Sequence, residues 1–170
     1  MFTLPRHSPP IGFREMSDTT VKQIDDYYRL MGERTVKGEV QPRPLRFLMI
    51  DDDEDFQLLV KRDFARRGFI MDGALNSHEG YNKAVASDPP YTLIVLDVQG
   101  IGEPVDQAFK RLRENVSASP VAICTGFPMD REVKACTKHG PFWLLEKPLD
   151  VGRLSAIFEH YRDMLAPQTI

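Results

Sequence analysis

Asp51, Asp52 and Asp53 stand in a row, and Asp97 stands alone after four branched apolar residues, Leu93-Ile94-Val95-Leu96. Two more polar pairs, Thr125-Gly126 and Lys147-Pro148, close later apolar runs. Carboxylates brought together repel and raise one another's pKa unless a cation sits among them. A site of oxygen ligands alone suits Mg²⁺, which keeps waters and welcomes phosphate oxygens. Such an ion would neutralise charge on an incoming phosphoryl group, while the Lys147 ammonium and the Thr125 hydroxyl would hold its remaining oxygens. Singly, each feature has a plainer explanation: acids that open a helix, where the dipole favours them, a Thr-Gly turn, a solvated Lys-Pro loop. The chemistry therefore depends on whether the fold gathers these residues.

The elements that could gather them alternate from residue 45 onward. Apolar strands are predicted at 45–50, 69–74, 92–97, 120–125 and 142–145. Between them run helical spacings. Phe56, Leu59, Val60 and Phe64 share one face, ended by Gly68. Ser77 caps a helix carrying Tyr81, Ala84 and Val85, stopped by Asp88-Pro89-Pro90. Pro104 suits the first turn of a helix with Val105, Ala108, Phe109 and Leu112 inside. A short helix at 130–138 carries Val133 and Cys136 and closes at Gly140. Asp150 caps a last helix with Val151, Leu154, Ile157, Phe158, Tyr161 and Leu165 on one side. Five βα units in succession predict an α/β domain, a doubly wound five-stranded parallel sheet of flavodoxin-like order 2-1-3-4-5. Ligands in such sheets collect outside the carboxyl ends of the strands, near the first and third. Asp51, Asp52, Asp97, Thr125 and Lys147 all fall at such ends.

Residues 1–44 read differently, as an N-terminal helical extension. Pro5, Pro9, Pro10 and the run Gln41-Pro42-Arg43-Pro44 mark linkers. Between them Ser17-Asp18 can cap a helix reaching about Met31, with Val21, Ile24, Tyr28 and Met31 on one face and Tyr27 beside them. That face would dock on its own domain or on a partner, a second copy included. The predicted domains are thus 1–44, the extension, and 45–166.

Bulk properties exclude several classes. The 170 residues are 42% hydrophobic and 28% charged with a formal net charge of −3, which offers no surface for nucleic acid. No apolar run approaches the roughly 20 residues that span a bilayer, and residues 1–10 do not read as a secretory signal. Cys124 and Cys136 fall in segments read as buried, so a disulfide is not expected and a reducing cytoplasm fits. His7, His78, His139 and His160 lack metal-ligand spacing. After Asp150 only one helix and the tail 166–170 remain, so direct DNA binding and an enzymatic output domain are not expected.

Four motifs in order carry a family resemblance: Phe47-Leu48-Met49-Ile50-Asp51-Asp52, Leu93-Ile94-Val95-Leu96-Asp97, Ala122-Ile123-Cys124-Thr125-Gly126 and Leu145-Glu146-Lys147-Pro148. From about residue 46 to 165 the chain resembles a response-regulator receiver domain of the chemotaxis-regulator (CheY-like) type. The resemblance implies a single-domain regulator of a two-component phosphorelay. Asp97 would accept a phosphoryl group from a sensor histidine kinase or a histidine phosphotransfer protein. Asp52 directly, Asp51 through water, Asp97, and the backbone carbonyl of Gln99 would hold Mg²⁺. Thr125 would bond the phosphoryl group, and Lys147 would pair with it. Output would pass through contacts with a downstream protein target, with a homodimer as a further option. No enzymatic turnover is implied beyond slow self-phosphorylation from small donors and self-dephosphorylation.

The sequence also departs from the family pattern. Val98-Gln99-Gly100-Ile101-Gly102-Glu103-Pro104 lacks the Met-Pro and Asp-Gly pairs common after the acceptor. Leu144 stands where the family often has an aromatic that swings during switching, and Thr125-Gly126-Phe127 resembles an atypical subgroup. Gln99 and Phe127 are candidates for controlling how fast water reaches the aspartyl phosphate. One rival is a pseudo-receiver, the same fold acting as a binding adaptor without phosphorylation. Another is a hydrolase of the haloacid dehalogenase type. That chemistry needs a second Asp two residues after the nucleophile, where Gln99 cannot transfer a proton usefully.

Overall fold

The computed structural model describes residues 45–128 and 130–165. The helix expected near residues 18–31 and the tail 166–170 lie outside the described residues, as do the side chains of Tyr161 and Leu165.

Five strands, β1 (Arg46–Ile50), β2 (Ile70–Ala74), β3 (Leu93–Asp97), β4 (Val121–Thr125) and β5 (Trp143–Glu146), form one sheet in the order β2-β1-β3-β4-β5. All four pairings are parallel. The helices α1 (Glu54–Arg66), α2 (Ser77–Ala86), α3 (Val105–Asn115), α4 (Arg131–Cys136) and α5 (Val151–Leu165) are the crossovers and the closing element. Each strand alternates its side chains between two cores, because successive residues of a strand face opposite ways. Phe47 and Met49 of β1, with Val95 and Cys124, face α1 and α5, where Val60, Phe64, Leu154, Ile157 and Phe158 meet them. Leu48 and Ile50, with Ile94, Leu96 and Ile123, face α2, α3 and α4, where Ala84, Phe109, Leu112, Val133 and Cys136 meet them. Both faces of β3 are covered, which is why its sequence is a continuous apolar run rather than an alternating one. The rings of Phe47, Phe64, Phe69 and Phe158 pack at 4.7–5.7 Å between centroids and pin α5 to α1 and β1.

Several expectations shift by a residue or more. The α2 cap is Asn76, whose side chain accepts the Glu79 N–H at 2.9 Å; Ser77 is the first helical residue and donates its hydroxyl to Glu103 at 2.5 Å. Pro104 occupies the cap position of α3 rather than its first turn. The 130–138 helix divides into α4 and a 3₁₀ turn over Thr137–His139. Leu59 and Val85, placed inward by periodicity, are exposed. The polar Gln57 instead takes the inner face of α1 with Val60 and Phe64. Both cysteines are free and buried, as expected.

Candidate functional site

Strand pairing decides which residues share the carboxyl edge. Ile50 pairs with Leu96, so the next residues, Asp51 and Asp97, stand side by side where β1 and β3 end. Asp97 pairs with Cys124, and Thr125 follows; Thr125 pairs with Glu146, and Lys147 follows. One carboxylate oxygen from each of Asp51, Asp52 and Asp97 lies within 4.8 Å of the others, a grouping able to hold a metal ion. Lys147 Nζ donates to Asp97 Oδ2 at 2.8 Å and lies 3.6 Å from Asp51 Oδ2. The second Asp97 oxygen accepts the N–H of Val98 at 2.8 Å.

The loop after β1 is tied down at several points. Asp53 caps α1 by accepting the Phe56 N–H at 2.9 Å, and its own N–H donates to Asp51 Oδ1 at 2.9 Å. This leaves Asp51 Oδ2 facing Asp97 and Lys147. Asp52 is exposed, whereas Asp51 and Asp97 are buried. The loop after β3 reaches Asp52 through Gly100. Its φ of +75° suits glycine, and a Cβ there would meet Asp52 Oδ2 at 2.1 Å. Gln99 is exposed in that loop. Thr125 is buried; its hydroxyl accepts the Phe127 N–H at 3.0 Å, and its carbonyl accepts the Lys147 N–H at 2.8 Å. Phe127 is 66% exposed at the rim. Leu144 is half-buried against the core under α3 and α4.

The electrostatics of the cluster suit a bound cation. Burial raises the Asp51 pKa above its usual value, and the charges of Asp97 and Asp52 add to this against the Asp53 N–H and Lys147. Burial alone would lower Lys147, but its hydrogen bond to Asp97 and the charges of Asp97 and Asp51 outweigh that and raise it. Burial foremost pushes the Cys124 thiol beneath the site up to about 12, so it stays a protonated packing group. Three clustered carboxylates with an all-oxygen donor set fit a hard divalent ion such as Mg²⁺.

The sequence-predicted residues Asp51, Asp52, Asp97 and Lys147 are thus drawn into one cluster, with Thr125 ending the neighbouring strand. Sequence reasoning missed the Asp53 and Val98 N–H groups, because backbone donors carry no residue signature. It also missed Gln57, which apolar periodicity passes over.

A five-stranded 2-1-3-4-5 sheet with this acidic edge defines the class: the fold is that of the CheY-like response-regulator receiver domain. No family model matches the sequence. Over 108 residues the chain is 29% identical to the photosynthetic apparatus regulatory protein RegA of Cereibacter sphaeroides, covering 64% of this chain. A RegA of Rhodovulum sulfidophilum is also 29% identical, over 121 residues and 71% of this chain. The matches span 58% and 64% of those two relatives' own lengths. Among solved structures, the receiver domain of Francisella response regulator 1452 superposes with a TM-score of 0.63 at 21% identity, covering 73% of this chain and all of that one. A response regulator of Burkholderia pseudomallei, determined with a phosphorylated aspartic acid, calcium ion and citrate, gives 0.60 at 24% identity over 69% of this chain and 68% of that one. Among the described residues no helix is long and apolar enough to cross a membrane.

Proposed function

We propose that this chain is a response regulator that accepts a phosphoryl group on Asp97 within a two-component phosphorelay. The observation that carries this reading is the Asp97 carboxylate at the end of the central strand, bonded to Lys147 at 2.8 Å and grouped with the Asp51 and Asp52 oxygens within 4.8 Å. The relative crystallised with a phosphorylated aspartic acid and calcium ion supports it by analogy. An Asp97 oxygen attacks the phosphorus of a phosphohistidine on a sensor kinase or phosphotransfer protein. The P–N bond breaks, its electron pair returns to the imidazole nitrogen, and an acyl phosphate forms. Asp51, Asp52, Asp97 and the Gln99 carbonyl would hold Mg²⁺, which would neutralise charge on the phosphoryl group.

Lys147 keeps its ammonium at the site, because its pKa is raised, and pairs with a phosphoryl oxygen. The Thr125 hydroxyl, which accepts from Phe127 N–H, has its proton free to donate to another. Its turn toward the phosphate shifts β4, β5, α4 and α5 between two populated states, which a downstream protein target reads. The altered loop at Val98–Gly102 favours a second reading, a binding adaptor of the same fold that is not phosphorylated. Incubation with a small phosphodonor and Mg²⁺, followed by intact-mass measurement, separates the two. A gain of one phosphoryl group that vanishes in Asp97→Asn is expected. No gain by folded wild type supports the adaptor.

A further inference from the structure

Gln57 is a buried polar residue on the inner face of α1, at a place where helical periodicity calls for an apolar side chain. Its Nε2 donates to two backbone carbonyls, Asp51 O at 2.7 Å and Ala74 O at 2.9 Å. Ala74 O also accepts the Asp51 N–H at 3.0 Å. One side-chain amide thus clamps Asp51, the residue after β1 that begins the acidic loop, to Ala74 at the end of β2.

The clamp needs room. A glycine inside a strand often marks close approach by another group, and Gly73 interrupts β2. A Cβ built at Gly73 would lie 1.8 Å from Gln57 Oε1 and 3.0 Å from its Cδ. Any larger residue at 73 therefore forces the amide aside. The obstacle is the end of a flexible side chain, so the strand itself can stay.

We infer that Gln57 is a positioning residue, which fixes the Asp51–Asp53 loop so that its carboxylates are preset for a divalent cation, and that position 73 is glycine to admit its amide. The inference rests on the phosphoacceptor reading above. It holds because two of the three grouped carboxylates hang from a short loop, and their backbone is held at Asp51 O by this amide. Partners one step out from metal ligands commonly govern affinity by about 10-fold or more.

The test uses the full chain, with Mg²⁺ followed by amide shifts in NMR and hydrogen exchange measured without Mg²⁺. Gln57→Met keeps the length and apolar packing but removes both donors. Gly73→Ala leaves Gln57 in sequence and displaces it in space. Val60→Ala, in the core of the same helix, controls for lost stability alone. The expected result is Mg²⁺ affinity lowered about 10-fold in Gln57→Met and Gly73→Ala, with faster exchange at the Asp51 amide, and unchanged affinity in Val60→Ala. The double variant Gln57→Met with Gly73→Ala is expected to match Gln57→Met alone, since one contact is lost only once. Wild-type affinity and wild-type Asp51 exchange in Gln57→Met would overturn the inference. Wild type that takes up no Mg²⁺ would instead sink the phosphoacceptor reading, a different and recognisable failure.

Discussion

In metal-free protein the three carboxylates of the acidic edge repel one another, and Asp51→Asn relieves part of that repulsion. Oxygens of Asp51, Asp52 and Asp97 lie within 4.8 Å of one another. At an effective dielectric of about 20, unit charges at that separation repel by roughly 3.5 kcal/mol per pair. Asp51 has two such neighbours, although the exposed Asp52 is screened more than Asp97. Against this stands its attraction to Lys147 at 3.6 Å, roughly 4.6 kcal/mol on the same scale and weakened by the lysine's exposure. Asparagine keeps an oxygen for the Asp53 N–H and removes the cost of burying the charge. The net gain is about 1–2 kcal/mol, a rise of about 4–8 °C in Tm for a domain of this size.

Thermal unfolding in chelator, followed by circular dichroism, measures it. The pH dependence supplies a second check. Burial foremost places the Asp51 pKa above 3.8, so the folded state holds this proton more tightly than the unfolded chain. Its destabilising contribution is complete above the folded pKa and vanishes below the unfolded one. Metal-free wild type is therefore expected to gain stability from this group as pH falls through that interval, and Asp51→Asn is expected to lack that gain. Mg²⁺ should reverse the ranking: at 100-fold excess over its Kd a native-state ligand adds about 2.7 kcal/mol, and the variant forfeits most of it. A metal-free Tm for Asp51→Asn equal to or below wild type would refute the reasoning.

Gly100→Ala should lower Mg²⁺ affinity about 10-fold, because its Cβ would displace the Asp52 carboxylate and its φ is +75°; calorimetric titration reads this. Gln99→Ala and Phe127→Ala should change the lifetime of the aspartyl phosphate, followed by loss of the phosphorylated mass; unchanged lifetimes would remove both from control of water. Asp72 sits with Arg46 and Tyr91, whose hydroxyl donates to its Oδ2 at 2.7 Å. Burial pushes Asp72 up, but the Tyr91 hydroxyl and Arg46 outweigh it and hold its pKa below 3.8. Its stabilising share is thus present above pH 3.8 and lost as pH falls through the lowered folded value. Tyr91→Phe is expected to cost about 1 kcal/mol in urea unfolding while leaving Mg²⁺ affinity intact.

The sheet was legible in the sequence because burial on both faces leaves a local mark. Leu93-Ile94-Val95-Leu96 can hardly be anything but a covered strand, and five such runs separated by helical spacings leave few topologies. The charged ends of those runs were equally visible, so Asp51, Asp52, Asp97, Thr125 and Lys147 could be named from spacing and family resemblance together. Caps were less so. Asn76 and Ser77 can both accept from a helix's first turn, and only the backbone path chooses Asn76.

What tertiary structure alone decided was distance and direction. Register across the β1–β3, β3–β4 and β4–β5 pairs set Asp97 beside Asp51 and brought Lys147 to 2.8 Å from Asp97 and 3.6 Å from Asp51, residues far apart in sequence. Gln57 shows the limit most clearly. Helical periodicity ranks residues by apolarity and so placed Leu59 inside, whereas the buried amide of Gln57 donates to two backbone carbonyls at the sheet edge, Asp51 O and Ala74 O. A hydrogen bond between backbone far apart in sequence has no local signature, because the groups it joins are the same in every residue.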